Sequence, residues 1–204
     1  MNPGLSRICI EKLKISGSLV VVRILITSVL LICPQSTYAI DGIVEKEVPK
    51  LTEIRIGILS HDIDNLWSGS KKEGGVDFSA EVNSKNSSIS FLSGIVYPNF
   101  GVSINNEGHT STLYVGFLWN RDISSNFFFD LGVGLAIHNG QLKSTTDDAK
   151  ALGSRILFRI PIEIGYRLDS RHSVYLSFAH ISNAYLASPN EGLDTLGIRY
   201  GISF

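Results

Sequence analysis

From Thr52 to Phe204 the chain predicts an all-β fold, an eight-stranded antiparallel transmembrane β-barrel. Two observations carry that expectation. Apolar residues recur at every second position over segments of about ten residues, the length a tilted strand needs to cross a bilayer. The connections between these segments alternate between long and short, so one end of the sheet bears extended loops and the other tight turns.

The first strand is set by Ile54, Ile56 and Ile58, alternating with Arg55 and Gly57. The second has Val76, Phe78, Ala80 and Val82 against Asp77, Ser79 and Glu81. Val96, Phe100, Val102 and Ile104 define the third, and Leu113, Val115, Phe117 and Trp119 the fourth. In the fifth, Phe127 through Ile137 alternate with Asp130, Gly132, Gly134 and His138. The sixth is the clearest: Ile156, Phe158, Ile160, Ile162, Ile164, Tyr166 and Leu168 share one parity, with Leu157 the exception on the other. A soluble helix cannot produce this pattern, because apolar residues at spacing two would wrap around every side. Val174, Leu176 and Phe178 set the seventh strand, and Leu196, Ile198, Tyr200, Ile202 and Phe204 the eighth. Long connections ("SHDIDNLWSGSKKEGG", "NGQLKSTTDDAKALG") follow strands one and five; short ones ("NRDISSN", "LDSRHS") follow strands four and six.

Alternation alone does not say which parity faces out, and a soluble eight-stranded calyx would turn the apolar one inward around a ligand. Three features favour lipid outside. The opposite parity is rich in glycine and charge (Arg55, Asp77, Arg159, Glu163, Arg199), which suits a filled polar interior, with Arg159, Glu163 and Arg199 as a charge network. Tyr97, Trp119, Phe127 and Tyr166 lie near strand ends, as an interfacial girdle would. The terminal "TLGIRYGISF" resembles the C-terminal signature of bacterial outer-membrane barrels.

Ahead of the strands, Arg7, Lys12, Lys14 and Arg23 precede the apolar run Ile24–Cys33, and Thr37 and Ala39 stand at −3 and −1 of a cleavage site. Residues 1–39 therefore read as a signal peptide that is removed, leaving residues 40–204 as the barrel domain. An uncleaved anchor helix is the alternative, though Arg23 interrupts it. Both cysteines, Cys9 and Cys33, fall in this segment, so the mature chain would have no thiol chemistry. A formal net charge of −1 over 204 residues offers nothing to a nucleic acid. His61, His109, His138 and His172 show no metal-ligand spacing, and no metal or organic cofactor is expected.

Chemistry concentrates in "HISNAYLASPNEGLD", His180 to Asp194. His180 and Ser182 continue the outward parity of strand seven, and Asp194 shares the outward parity of strand eight. All three would face lipid, where polar groups are costly unless they serve a purpose. Residues i and i+2 stand about 6.5–7 Å apart on one strand face, a gap an imidazole can bridge. A carboxylate on the neighbouring strand could hold the other ring nitrogen, as in a Ser-His-acid triad. Interfacial histidine and serine residues without chemistry are the alternative reading of the same pair.

"HISNA" followed by "SPNEGLD" and a short terminal strand resembles the PagL-type lipid A 3-O-deacylases, eight-stranded outer-membrane barrels. The specific similarity covers about the last twenty-five residues; the rest agrees in length and strand pattern. The resemblance implies Ser182 as nucleophile, His180 as general base, Asp194 as orienting acid and Asn183 as an oxyanion donor. The family pattern favours Glu at position 194, so Glu191 stands as the alternative acid. Asn190 reads as a turn residue, and Lys71 and Lys72 as solvated loop cations or contacts to lipopolysaccharide phosphates. The implied substrate is the lipid A of lipopolysaccharide in the outer leaflet, with outer-membrane lipid as surroundings and a homodimer allowed. A non-enzymatic barrel, adhesin or structural, is the competing reading, in which the polar triplet is accidental.

Overall fold

The computed structural model describes residues 52–144 and 146–204; the expected signal peptide, with Cys9 and Cys33, lies outside them. The strands are β1 (Thr52–Ser60), β2 (Val76–Ser84), β3 (Ile89–Phe91), β4 (Gly94–Asn105), β5 (Thr112–Asp122), β6 (Phe127–His138), β7 (Ile156–Arg167), β8 (His172–Ser182) and β9 (Leu193–Ser203). All pairings are antiparallel, and β1 closes on β9 from Glu53↔Ser203 to Ser60↔Leu196. β1, β2 and β4–β9 form the closed eight-stranded barrel, with β2 paired directly to β4. β3 is additional. Its three residues pair only with the start of β4, beyond the point where β2 leaves it.

The outward parity is the apolar one. Ile56, Phe78, Phe100, Val115, Val133, Ile156, Leu176 and Ile198, one from each barrel strand, are each more than half exposed. So continuous an apolar exterior exceeds any patch a water-soluble monomer carries, and it removes the calyx reading.

The lumen is filled by paired charge. Arg55, fully buried, donates to Glu53 (3.1 and 3.2 Å), Glu163 (2.5 Å) and Tyr97 Oη (3.1 Å), and lies 2.9 Å from Asp130. Arg199 donates to Glu81 (3.0 Å) and Tyr114 Oη (3.1 Å) and lies 3.1 Å from Glu163. Arg159 stacks its guanidinium 3.8 Å over the Tyr114 ring. Buried charges persist only when each has partners, and here Arg55 and Arg199 each have several, while Arg159 adds a carboxylate, Glu81, at 3.9 Å.

One expectation changes. Tyr97 does not belong to the girdle: it is completely buried and holds Arg55, because its parity is that of the lumen. Phe127 and Tyr166 do sit outside, edge to face at 4.8 Å. Leu157, the exception on its strand, also points inward, where it joins Tyr114, Ala136, Leu152, Ile181 and Leu193 in an apolar luminal cluster. Leu152 comes from the loop between β6 and β7, so the cluster plugs the barrel at its long-loop end.

That end carries connections 61–75, 106–111, 139–155 and 183–192; the opposite end carries 123–126, 168–171 and β3. His180, Ser182 and Asp194 all lie at the long-loop end, where β8 finishes and β9 begins.

Candidate active site

Strand register brings the polar triplet together. His180 sits directly across from Asp194 in the β8–β9 ladder, and Ser182 follows two residues on, on the same face. Asp194 Oδ1 lies 2.6 Å from His180 Nδ1, and Ser182 Oγ lies 3.0 Å from His180 Nε2. A carboxylate can only accept, so it fixes the tautomer: Nδ1–H donates to Asp194, leaving Nε2 to accept the Ser182 hydroxyl proton. The result is a continuous hydroxyl–imidazole–carboxylate line.

The loop between β1 and β2 completes it. The backbone N–H groups of Trp67 and Ser68 both donate to Asp194 Oδ2, at 2.7 and 2.6 Å. The Trp67 ring stacks on the His180 ring with centroids 4.5 Å apart and planes 11° from parallel, and it runs nearly parallel to Phe178 at 6.4 Å. The triplet has the outward parity expected of it but does not meet lipid as bare polar groups. Asp194 is completely buried and His180 6% exposed, beneath Trp67, while Ser182 stays partly open. This roof removes the cost of a carboxylate and an imidazole in hydrocarbon and leaves the hydroxyl accessible. Gly192, at φ +65°, passes close enough that a Cβ there would stand 3.1 Å from His180 Cε1, which accounts for glycine at that point.

Glu191 does not reach the imidazole. Its carboxylate is held 2.6 Å from Lys72 Nζ and accepts the Ala151 N–H at 2.7 Å, which ties three loops together. Burial works against its ionisation, but Lys72 and the Ala151 N–H hold its carboxyl below the usual range. Lys72 is thereby committed to a carboxylate, whereas Lys71 is exposed.

Asn183 also departs from its expected part. Its side-chain amide donates to Leu152 O (2.9 Å) and Pro189 O (2.8 Å), and its backbone N–H donates to Asn190 Oδ1 (2.9 Å). With those donors committed, Asn183 clamps the loop after β8 onto the loop after β6, and none is free for an oxyanion. Asn190 serves the turn, as its sequence context suggests. The chain just past Asn183 takes left-handed backbone at two non-glycine residues, Ala184 and Tyr185.

Trp67 and Ser68 were not legible as site residues. The only signal was a lone tryptophan in a long polar loop, an aromatic surface that needs something to cover. Among the described residues no cluster of His, Cys, Asp and Glu has the arrangement of a metal site.

The family model described as "Lipid A 3-O-deacylase (PagL)" matches residues 67–203, from the tryptophan roof to the end of β9. Lipid A deacylase PagL of Bordetella bronchiseptica is 31% identical over 78 residues, 38% of this chain and 42% of that protein. The match thus spans less than half the length of that relative. The crystal structure of the outer membrane enzyme PagL superposes with a TM-score of 0.54 at 19% identity, covering 74% of this chain and 98% of that one. The N-terminal β-barrel domain of Pseudomonas aeruginosa OprF gives 0.51 at 11% identity, covering 76% and 98%. These two likenesses speak to the fold.

Proposed function

The chain belongs to the lipid A 3-O-deacylase (PagL) family of outer-membrane barrels, and on that premise we propose that it is a serine esterase that hydrolyses the 3-position acyl ester of lipid A in the outer leaflet. The observation carrying this reading is the hydrogen-bonded line from Ser182 Oγ through His180 to Asp194, at 3.0 and 2.6 Å. Its setting on the lipid-facing wall suits a substrate whose acyl chains already lie in the leaflet.

In this reading His180 Nε2 takes the Ser182 proton as Oγ attacks the acyl carbonyl. The charge left on the imidazolium is balanced by Asp194, which stays ionised because three N–H groups donate to it. The tetrahedral intermediate collapses when His180 returns the proton to the glucosamine oxygen, which leaves as the alcohol. Water, deprotonated by the same nitrogen, then releases the fatty acid and restores Ser182. The oxyanion needs donors beyond those Asn183 has already committed, and the N–H groups of the left-handed residues Ala184 and Tyr185 are the next along the chain. Each copy of the chain carries all three residues, so the reaction needs no second copy.

Replacing Ser182 by alanine tests the reading. Purified protein in detergent is incubated with lipopolysaccharide, and the lipid A is weighed by mass spectrometry. The native chain should remove one hydroxyacyl group, and Ser182→Ala should lose roughly 10⁴-fold or more of the rate. Undiminished release by the alanine variant would eliminate Ser182 as nucleophile.

A further inference from the structure

Lys150 lies in the loop between β6 and β7, far along the chain from every residue of the proposed site, yet it is 1% exposed. Its ammonium donates to Ser70 O (2.6 Å) and Ser68 O (3.4 Å) and stands 3.2 Å from Asp62 Oδ1. Asp62 in turn accepts the N–H groups of Lys72 (2.7 Å) and Glu73 (3.0 Å) through its other oxygen. The backbone of Lys150 is fixed as well, its N–H donating to Glu73 Oε1 at 2.8 Å. One buried cation therefore gathers both limbs of the β1–β2 loop. The stretch it grips, Ser68 to Ser70, begins at the residue whose N–H donates to Asp194 and which follows Trp67.

We propose that Lys150 is a positioning residue for the hydrolysis: its ammonium holds the Trp67–Ser70 segment in place, so that two amide donors stay on Asp194 and the indole stays on His180. The proposal rests on the esterase reading. Its physical basis is that a buried ammonium with three oxygen partners is hard to replace. Without it, Asp62 and two carbonyls lose their partner in a dry site, and the loop relaxes toward water to hydrate them. Such a move would carry Trp67 away from His180. Lys150 itself touches neither the hydroxyl nor the imidazole, so it acts on turnover rather than on lipid binding.

The test uses the full chain folded in detergent, in a Trp119→Phe background that leaves Trp67 as the single tryptophan, since the chain has two. Contact with an imidazole quenches indole emission, so Trp67 fluorescence reports the stack. Lys150→Met keeps the length of the stem but not the charge. It should raise Trp67 emission and lower kcat on purified lipopolysaccharide about tenfold to a hundredfold, with KM within about twofold of the parent. Lys150→Arg, which donates to the same carbonyls, should restore most of both signals. Heat-modifiable gel migration identifies the folded barrel; if Lys150→Met does not fold, Lys150→Gln carries the same expectations at smaller amplitude. Parent-like emission and kcat in a folded, uncharged variant would overturn the proposal, as would equal losses in the methionine and arginine variants. Activity persisting in Ser182→Ala would instead strike the esterase reading, while the emission comparison would still judge the tie.

Discussion

Asp194 and Glu191 are separated by only two residues, and hydrogen bonding assigns them opposite duties. Asp194 takes three N–H donors, one of them the imidazole, whereas Glu191 spends both oxygens on Lys72 and Ala151. Replacing Asp194 by asparagine keeps the size and shape of the side chain but allows the amide to donate to Nδ1, turning the imidazole to the wrong tautomer. Fatty-acid release should then fall by about 10⁴-fold. Glu191→Gln keeps one acceptor and loses a half-exposed ion pair, so its rate should stay within about tenfold of the parent. Rates for the two variants on the same lipopolysaccharide decide the matter, and the reverse ranking would hand the acid's part to Glu191. The triplet was legible because parity and one short stretch of chain place it. Trp67 was not, since no periodicity in a loop says which strand end the loop will cover.

At the scale of elements, alternation is what makes a strand readable, and it fails wherever an element is too short or a side chain's environment breaks the polar-inside rule. β3 has three residues and so no period to detect. Leu157 keeps the inward parity but breaks the polar-inside rule, because the luminal end near it is plugged with apolar side chains rather than charge. Tyr97 reads as interfacial by type, yet its odd position turns it inward to Arg55. Where a strand is long and regular the parity is a quantitative statement. Ile162 lies mid-strand in β7 on the outward face, opposite Phe178 of β8. Ile162→Arg would put a cation against hydrocarbon and should cost about 2–4 kcal/mol near the bilayer centre, read as a lower urea midpoint in lipid vesicles. An unchanged midpoint would mean that this face does not contact lipid.

For the barrel domain, the long-loop end and the wall are held by different means: outside, apolar contact with lipid; at the mouth, a buried cluster of opposite charges. His61, completely buried, lies 2.9 Å from Glu73 and 2.8 Å from Asp77, and Glu73 also accepts from Thr110 and the Lys150 N–H. Burial works against charging the imidazole, but the hydrogen bonds and charges of Asp77 and Glu73 prevail and lift its pKa from 6.5 to about 9. Burial also opposes the Glu73 carboxylate, and His61 with the Lys150 and Thr110 donors holds it down at about 2, from 4.5. The two shifts define a window. The His61 contribution is complete below its unfolded pKa of 6.5 and disappears as pH rises through about 9; the Glu73 contribution is complete above 4.5 and disappears as pH falls through about 2. Because Glu73 also receives the Lys150 N–H, loosening of this cluster reaches the loop that roofs His180. The temperature at which the folded gel band converts to the unfolded one should therefore decline between neutral pH and about 10. In His61→Gln that alkaline decline should flatten around a lower plateau, since the glutamine amide can still hydrogen-bond Glu73 but no longer titrates. A decline of the same slope in both proteins would place the alkaline sensitivity elsewhere and remove His61 as the cation that seals the mouth.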